Sequence, residues 1–335
     1  MTTYLKAAKE IAGEELAQSL VNDVIECERV LADKLQSNVA TVEQIGNHVA
    51  KSGGKRLRPL LVSLGARCIS SDYDPKRIHN IGACVEMIHM ATLIHDDVID
   101  GATTRRGRPT PHQVWGTTEA ILTGDVLLAK AMEILAEDGD LDIIRSISSA
   151  VVDLAEGEVR ELESRGNFDL PESEHLNILQ RKTATFMACC CMAGAIVAGA
   201  KPELRHALWS YGNSLGMAFQ IADDLLDFLG DDAKTGKARA TDFRDGCATL
   251  PLILLRTELA EEESTFLRSK FGNGAHDSDI ETISRWMEEK GAFAKSRSAA
   301  AAYAQASLDA LDAIPDSQPK KLLASLAEFV VQREA

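Results

Sequence analysis

Six aspartates in two copies of one pattern, Asp96-Asp97-Val98-Ile99-Asp100 and Asp223-Asp224-Leu225-Leu226-Asp227, are the side chains best spaced for chemistry. On a helix the first and last aspartate of each copy stand one turn apart on the same face, with the middle one about 100° round. Each copy follows an apolar run, ATLI before the first and MAFQIA, broken by Gln220, before the second. The carboxylates therefore end a buried approach, where their charges repel one another severely unless cations neutralise them. Oxygen donors without a His-rich or Cys-rich set fit Mg²⁺, which keeps waters and bridges carboxylates to phosphates. Followed backward, the two faces reach His89 below the first motif and Gln220 below the second.

Basic residues cluster near these acids. SGGKRLRP supplies Lys55, Arg56 and Arg58 after a glycine pair, and TTRRGRP supplies Arg105, Arg106 and Arg108 directly after the first motif. RKT adds Arg181, Lys182 and Thr183, and TGKAR adds Lys237 and Arg239. Any one cluster could be ordinary surface ion pairing. Jointly, guanidinium and ammonium groups beside metal-binding carboxylates suit a diphosphate, whose oxygens take both.

The elements that must position these groups read as helices almost throughout. Apolar positions 81, 84, 85, 88 and 91 keep helical spacing below the first motif, and SAAAAYAQASLDAL (298–311) is a strong helix former. Alternating Val, Ile and Thr runs bounded by hairpin turns are missing. Breaks such as ISSDYDPK, EDGDLD, RGNFDLPESEH and GNGAHDSD are short and rich in Gly, Pro, Asp or Ser. The longer break LGDDAKTGKARATDFRDGCATLP is of the length that often carries function. No flexible linker or solenoid repeat divides the chain, so residues 1–335 are expected to form a single all-α domain.

Composition narrows the function classes. With 36 basic and 51 acidic residues, a formal net charge of -15, the chain repels polyanions and nucleic acid is not the expected partner. Seven cysteines without a CxxC pair argue against a zinc site or a disulfide framework and for a reducing, cytoplasmic setting. The N-terminus carries acids early and lacks an apolar h-region, so no signal or transit peptide is expected. FMACCCMAGAIVAGA (186–200) is shorter than the ~20 residues of a membrane span and reads as a buried core helix. Its cysteine triplet reads as small core packing.

Two competing motifs fail on inspection. His95-Asp96 is also the dipeptide of helical metal phosphohydrolases, with His79 and His89 upstream, but that reading leaves the second aspartate motif unexplained. GDDAKTGKA imitates a phosphate-binding P-loop, yet it has five residues between its glycines and Ala238 where Ser or Thr belongs.

The ordered series GGKRLRP, VEMIHMATLIHDDVIDGATTRRGRPT, GDVLLAKA, EGEV, RKTATF, GMAFQIADDLLDF and TGKARATDFRDGCATLP covers most of the chain. In order and spacing it resembles the trans-isoprenyl diphosphate synthases, in particular the long-chain polyprenyl diphosphate synthases. The resemblance implies an isoprenoid-synthase-type helical bundle around a deep central cavity, a homodimer, and Mg²⁺-dependent addition of isopentenyl diphosphate to an allylic diphosphate. By the same resemblance Asp96, Asp97, Asp100, Asp223, Asp224 and Asp227 hold Mg²⁺ against the allylic diphosphate. Arg105, Lys182, Thr183, Gln220 and Lys237 contact that group, with Lys182 assisting its ionisation. Lys55, Arg58, His89 and Arg106 match the isopentenyl diphosphate pocket.

One departure stands out. Cys247 occupies the position where many relatives carry a lysine in GKxTLP, which removes one allylic phosphate contact. Chain length is expected to follow from α-helical geometry below Asp96: Thr92 lies one turn down, Ala91 flanks it and Ile88 is a further turn away. In the resembled family, aromatic side chains at the positions of Ala91 and Thr92 close the tunnel early. Both are small here, so a long product, hexaprenyl to decaprenyl, is expected. The alternatives are a short-chain farnesyl or geranylgeranyl diphosphate synthase, a metal-dependent phosphohydrolase, and a non-catalytic subunit of a heteromeric synthase, which would not need all six aspartates. Terpene cyclases share the first acidic motif but would not need the isopentenyl pocket.

Overall fold

The computed structural model describes residues 3–230 and 239–332, with side chains from residue 13 onward. The all-α expectation holds. Among the described residues the exception is one antiparallel hairpin of two-residue strands, Thr104–Arg105 with Arg108–Pro109. Backbone contacts divide the chain into two compact units: Met1–Ser148 with Cys189–Trp209 and Ala313–Leu323, and Ser149–Ala188 with Ser210–Asp312 and Ala324–Ala335.

The first unit is built around α4 (Pro75–Ile99). Asp74 caps its start by accepting the amide of Lys76 at 2.9 Å, and Pro75 fixes the first turn. The spacing of apolar residues suggested one buried face, but α4 is buried on nearly every side, Ala83, Met87 and Met90 included. The extra faces are taken by α1 (Thr3–Leu35), α3 (Leu57–Arg67) and α6 (Thr117–Asp138). Against α6 it runs antiparallel: Cys84 Sγ donates to the Ala131 carbonyl at 3.5 Å, while His95 Nε2 lies 3.2 Å from that of Ile121. Gly124 makes the second crossing possible, since a Cβ there would stand 2.3 Å from His95 Nε2.

The cysteine-rich segment forms part of α9 (Thr185–Val197), and Cys189, Cys190 and Cys191 are buried as core residues. Gly65 and Gly194 let α3 and α9 touch backbone to backbone: a Cβ on Gly194 would come within 2.0 Å of the Val62 carbonyl. Among the described residues no helix is long and apolar enough to cross a membrane.

A buried polar knot ties α1 to α3 and α4. Asp23 accepts from Ser63, from Arg67 Nη2 at 2.7 Å and from His79 Nε2 at 3.1 Å. Burial would raise the Asp23 pKa, yet the bonds from His79 and Ser63 and the charge of Arg67 hold it below the ordinary carboxylate value. A depressed folded pKa contributes stability above the unfolded value, near 4, and that contribution is lost as pH falls through the folded pKa. Asp23→Ala leaves Arg67 without this partner and is expected to destabilise the protein by about 3 kcal/mol in urea unfolding at pH 7, with the deficit shrinking below pH 4. A deficit that does not change with pH would contradict this account of Asp23.

The second unit centres on an aromatic cluster. Phe228, at the end of α10 (Pro202–Leu229), meets Phe243 with ring centroids 6.5 Å apart. Phe243 meets Phe271 at 5.5 Å, and Phe271 meets Phe168 at 5.6 Å, all edge-on. Burying each ring is worth roughly 1.5–3 kcal/mol, and the edge-on geometry adds to that. The cluster thus anchors the helix end that carries Asp223, Asp224 and Asp227.

Candidate active site

In the first unit the leading aspartate motif ends α4. Asp96 and Asp97 lie in its last turn, and Asp100 caps it with its amide bonded to the Asp96 carbonyl at 2.8 Å. The second motif likewise occupies the last turns of α10. Neither helix has a basic residue in its last turn. Helix C-termini carry about half a negative charge, so each motif adds carboxylates to an end that is already negative. The donor set therefore fits a divalent cation. Among the described residues no three His, Cys, Asp or Glu side chains converge enough to form a complete metal cage.

Neighbouring side chains hold some of these carboxylates. Arg105 Nε donates to Asp97 Oδ1 at 2.7 Å, and Asp97 is buried. Asp224 is equally buried, and its Oδ2 lies 2.9 Å from His175 Nε2, a bond to a carboxylate that requires the proton on Nε2. Asp227 works on its own backbone: its two oxygens accept the amides of Thr241 at 3.1 Å and Asp242 at 3.2 Å, starting the short helix Thr241–Arg244. His175, on α8 (Glu172–Leu179), escapes sequence reasoning because a lone histidine in a helical pattern carries no spacing signal.

The basic residues of the first unit converge on His89. Burial first, then the charges of Arg58, Arg106, Arg105 and Arg56, hold the His89 pKa well below its ordinary value, so the ring is neutral at pH 7. A neutral imidazole among four guanidinium groups offers an N–H to an anion and leaves the positive charge to the arginines. Two backbone features assemble the nest. Gly54 lets Arg106 lie over the glycine loop, for a Cβ there would stand 3.1 Å from Arg106 Nη1. Arg56 adopts the left-handed region at φ 49°, a conformation unfavourable for a side-chain-bearing residue. It is held there by Glu86 at 2.7 Å, Glu28 at 2.8 Å and the Ala50 carbonyl at 2.9 Å. Arg56 is thus spent on structure, Arg58 is half-buried on α3, and Lys55 is exposed in the loop before it. The hairpin carrying Arg105 and Arg106 is pinned by His48, whose Nε2 lies 2.8 Å from the Pro109 carbonyl.

In the second unit Lys182 and Thr183 ride on a π-helical turn, Gln180–Ala184, between α8 and α9. Two glycines shape the space around it. A Cβ on Gly157 of α7 (Leu141–Ser164) would stand 2.8 Å from the Lys182 amide nitrogen, and one on Gly216 of α10 would stand 2.5 Å from Ala184 Cα. Thr183 Oγ1 donates to Gln220 Oε1 at 3.2 Å, one turn below Asp223 and Asp224. Lys182 Nζ pairs with Glu161 at 2.7 Å and Glu158 at 3.0 Å.

Other basic residues singled out by sequence turn to structure. Arg181 points to Asp153 and Glu156, and Arg239 caps α10 by donating to the Phe228 carbonyl from Nε and Nη2. Lys237 lies outside the described residues. Below the first motif Ala91 and Ile88 are fully buried, while Thr92 Oγ1 donates back to the His89 carbonyl at 2.9 Å.

Gly157→Ala is expected to displace the turn that carries Lys182 while the helices remain. A misplacement of about 1 Å can cost on the order of a hundredfold in rate, so kcat/KM should fall by about that factor with an unchanged circular dichroism spectrum. Retained activity would show that this turn's register does not matter.

Comparison with known proteins adds three findings. The sequence profile of the polyprenyl synthetase family matches residues 39–288. The octaprenyl diphosphate synthase of Escherichia coli K12 is 32% identical over 96% of this chain and 99% of its own length, and the geranylgeranyl diphosphate synthase of Saccharolobus solfataricus is 34% identical over 89% and 92%. The crystal structure of a polyprenyl synthase from Caulobacter crescentus, complexed with calcium and isoprenyl diphosphate, superposes with a TM-score of 0.89 at 36% identity, covering 96% of this chain and 97% of that one.

Proposed function

Since this chain belongs to the polyprenyl synthetase family of trans-prenyltransferases, we propose that it adds isopentenyl diphosphate units head-to-tail to an allylic diphosphate and makes a long-chain all-trans polyprenyl diphosphate. The observation that carries the reading is the pairing, within one unit, of carboxylates at the end of α4 with four arginines bearing on a neutral His89. One ligand class, the diphosphate, uses both. We assign Mg²⁺ to Asp96, Asp97, Asp100, Asp223, Asp224 and Asp227. When bound, it would neutralise charge building on the departing diphosphate.

The chain's own groups do the rest. Lys182, Thr183, Gln220, Arg105 and, from the segment outside the described residues, Lys237 grip the allylic diphosphate and stabilise it as the allylic C–O bond breaks. Lys55, Arg58, His89 and Arg106 hold isopentenyl diphosphate, whose double bond attacks the allylic carbocation. The released diphosphate takes the proton, because the carboxylates are committed to the metal. Small residues at 91 and 92 support a long product. We place residues 1–335 in a single catalytic domain, because the octaprenyl relative aligns with 96% of the chain. The same reading includes a homodimer, supported by the exposed Ile121, Leu122 and Met132 of α6, and a cytosolic setting, supported by seven free cysteines.

The two sets of contacts separate kinetically. Arg58→Ala and His89→Ala are expected to raise KM for isopentenyl diphosphate roughly tenfold to a hundredfold, the worth of one charge-assisted hydrogen bond. Lys182→Ala should act on the allylic substrate instead. Initial rates with each substrate varied at saturation of the other test this, and equal changes in both KM values would refute the assignment of pockets.

A further inference from the structure

Lys182, read above as a contact to the allylic diphosphate, is already held by two carboxylates. Glu158 and Glu161 stand three residues apart on α7, and both reach its ammonium, at 3.0 Å and 2.7 Å. All three side chains are at least partly buried, with 11%, 24% and 27% of the Glu158, Glu161 and Lys182 side chains exposed, so water screens the cluster poorly. One cation between two anions leaves a net negative charge where a polyanion is to bind. Glu161 also bears on a second position. Burial pushes the Cys247 thiol up to about 12, and Glu161, Asp242 and Asp245 add to that push against Arg165 alone.

We propose that Glu161 sets the affinity of this site for an allylic diphosphate by competing with it for Lys182. Diphosphate binding then requires the Lys182 ammonium to exchange Glu161 for a phosphate oxygen. Glu158 remains to orient it. After turnover Glu161 recaptures the ammonium, which favours release of the diphosphate products. The inference rests on the assignment of Lys182 to the allylic substrate.

The test compares full-length wild type with the Glu161→Gln and Lys182→Ala variants. Binding of farnesyl thiodiphosphate, an analogue that does not ionise readily, is measured by calorimetry with Mg²⁺, alongside KM for farnesyl diphosphate. Glu161→Gln keeps the shape and removes the charge. It should tighten analogue binding about tenfold, as expected for removing one like charge at partly buried range.

Glu161→Gln binding the analogue no better, or more weakly, would overturn the inference and make Glu161 an orienting partner of Lys182. Lys182→Ala separates this failure from failure of the underlying assignment. If Lys182→Ala leaves analogue affinity unchanged, the role of Lys182 itself is refuted. If it weakens binding while Glu161→Gln gives no gain, only the competition is refuted.

Discussion

Replacing Asp223 by alanine is expected to lower kcat by at least about a thousandfold, a loss near 4 kcal/mol, and Asp96→Ala should do the same. Both residues sit in the closing turns of helices whose C-terminal dipoles already disfavour anions, and the proposed Mg²⁺ would offset that charge. Removing the ion should be as damaging, and EDTA is expected to abolish turnover until Mg²⁺ is restored. Asp97 and Asp224 are held by Arg105 and His175, so His175→Ala should weaken metal activation through Asp224 without removing a carboxylate. Undiminished turnover in chelator, or an Asp223→Ala variant within tenfold of wild type, would contradict the metal mechanism.

The second large effect concerns product length. Ala91→Phe is expected to cut the product from hexaprenyl–decaprenyl length to farnesyl or geranylgeranyl length while leaving the first condensation nearly intact. Ala91 is completely buried on α4, a little more than one turn from Asp96, and Ile88 lies about one turn further. A growing chain that runs from the metal down this helix would meet a phenyl ring there within its first few units. The stability of the variant supplies an independent reading. Forcing a phenyl ring into a close-packed core costs about 1–3 kcal/mol, whereas a ring that enters a chain-binding channel displaces nothing. A short product from a variant of unchanged Tm supports the channel. An unchanged product profile contradicts it.

What could be read in advance follows from the range of the signals. The aspartate motifs, the cationic clusters and the helices are local patterns, and the structure bonds Arg105 to Asp97 and Thr183 to Gln220. The burial of α4 on all sides was illegible because Ala83, Met87 and Met90 look like the back of an amphipathic helix until α1, α3 and α6 cover them. The π-turn under Lys182 was illegible too: it depends on Gly157 and Gly216, some 25 and 34 residues away in sequence. Basic side chains misled where charge alone was counted. Arg56, Arg181 and Arg239 close ion pairs and a helix end, and the clusters that contain them are smaller as anion sites than they look. Lys182 shows the converse: its ion-pair partners, Glu158 and Glu161, lie on another helix and leave no local signal beside it.

The central claim, chain elongation at a metal-diphosphate site, is tested most directly by one incubation. Purified protein is given Mg²⁺, farnesyl diphosphate and labelled isopentenyl diphosphate in excess, and the products are sized while released diphosphate is counted. The account predicts labelled all-trans products of hexaprenyl to decaprenyl length, with one diphosphate released for each isopentenyl unit consumed and none when isopentenyl diphosphate is left out. Release of diphosphate or phosphate from farnesyl diphosphate alone, without any longer product, would contradict it and favour hydrolysis.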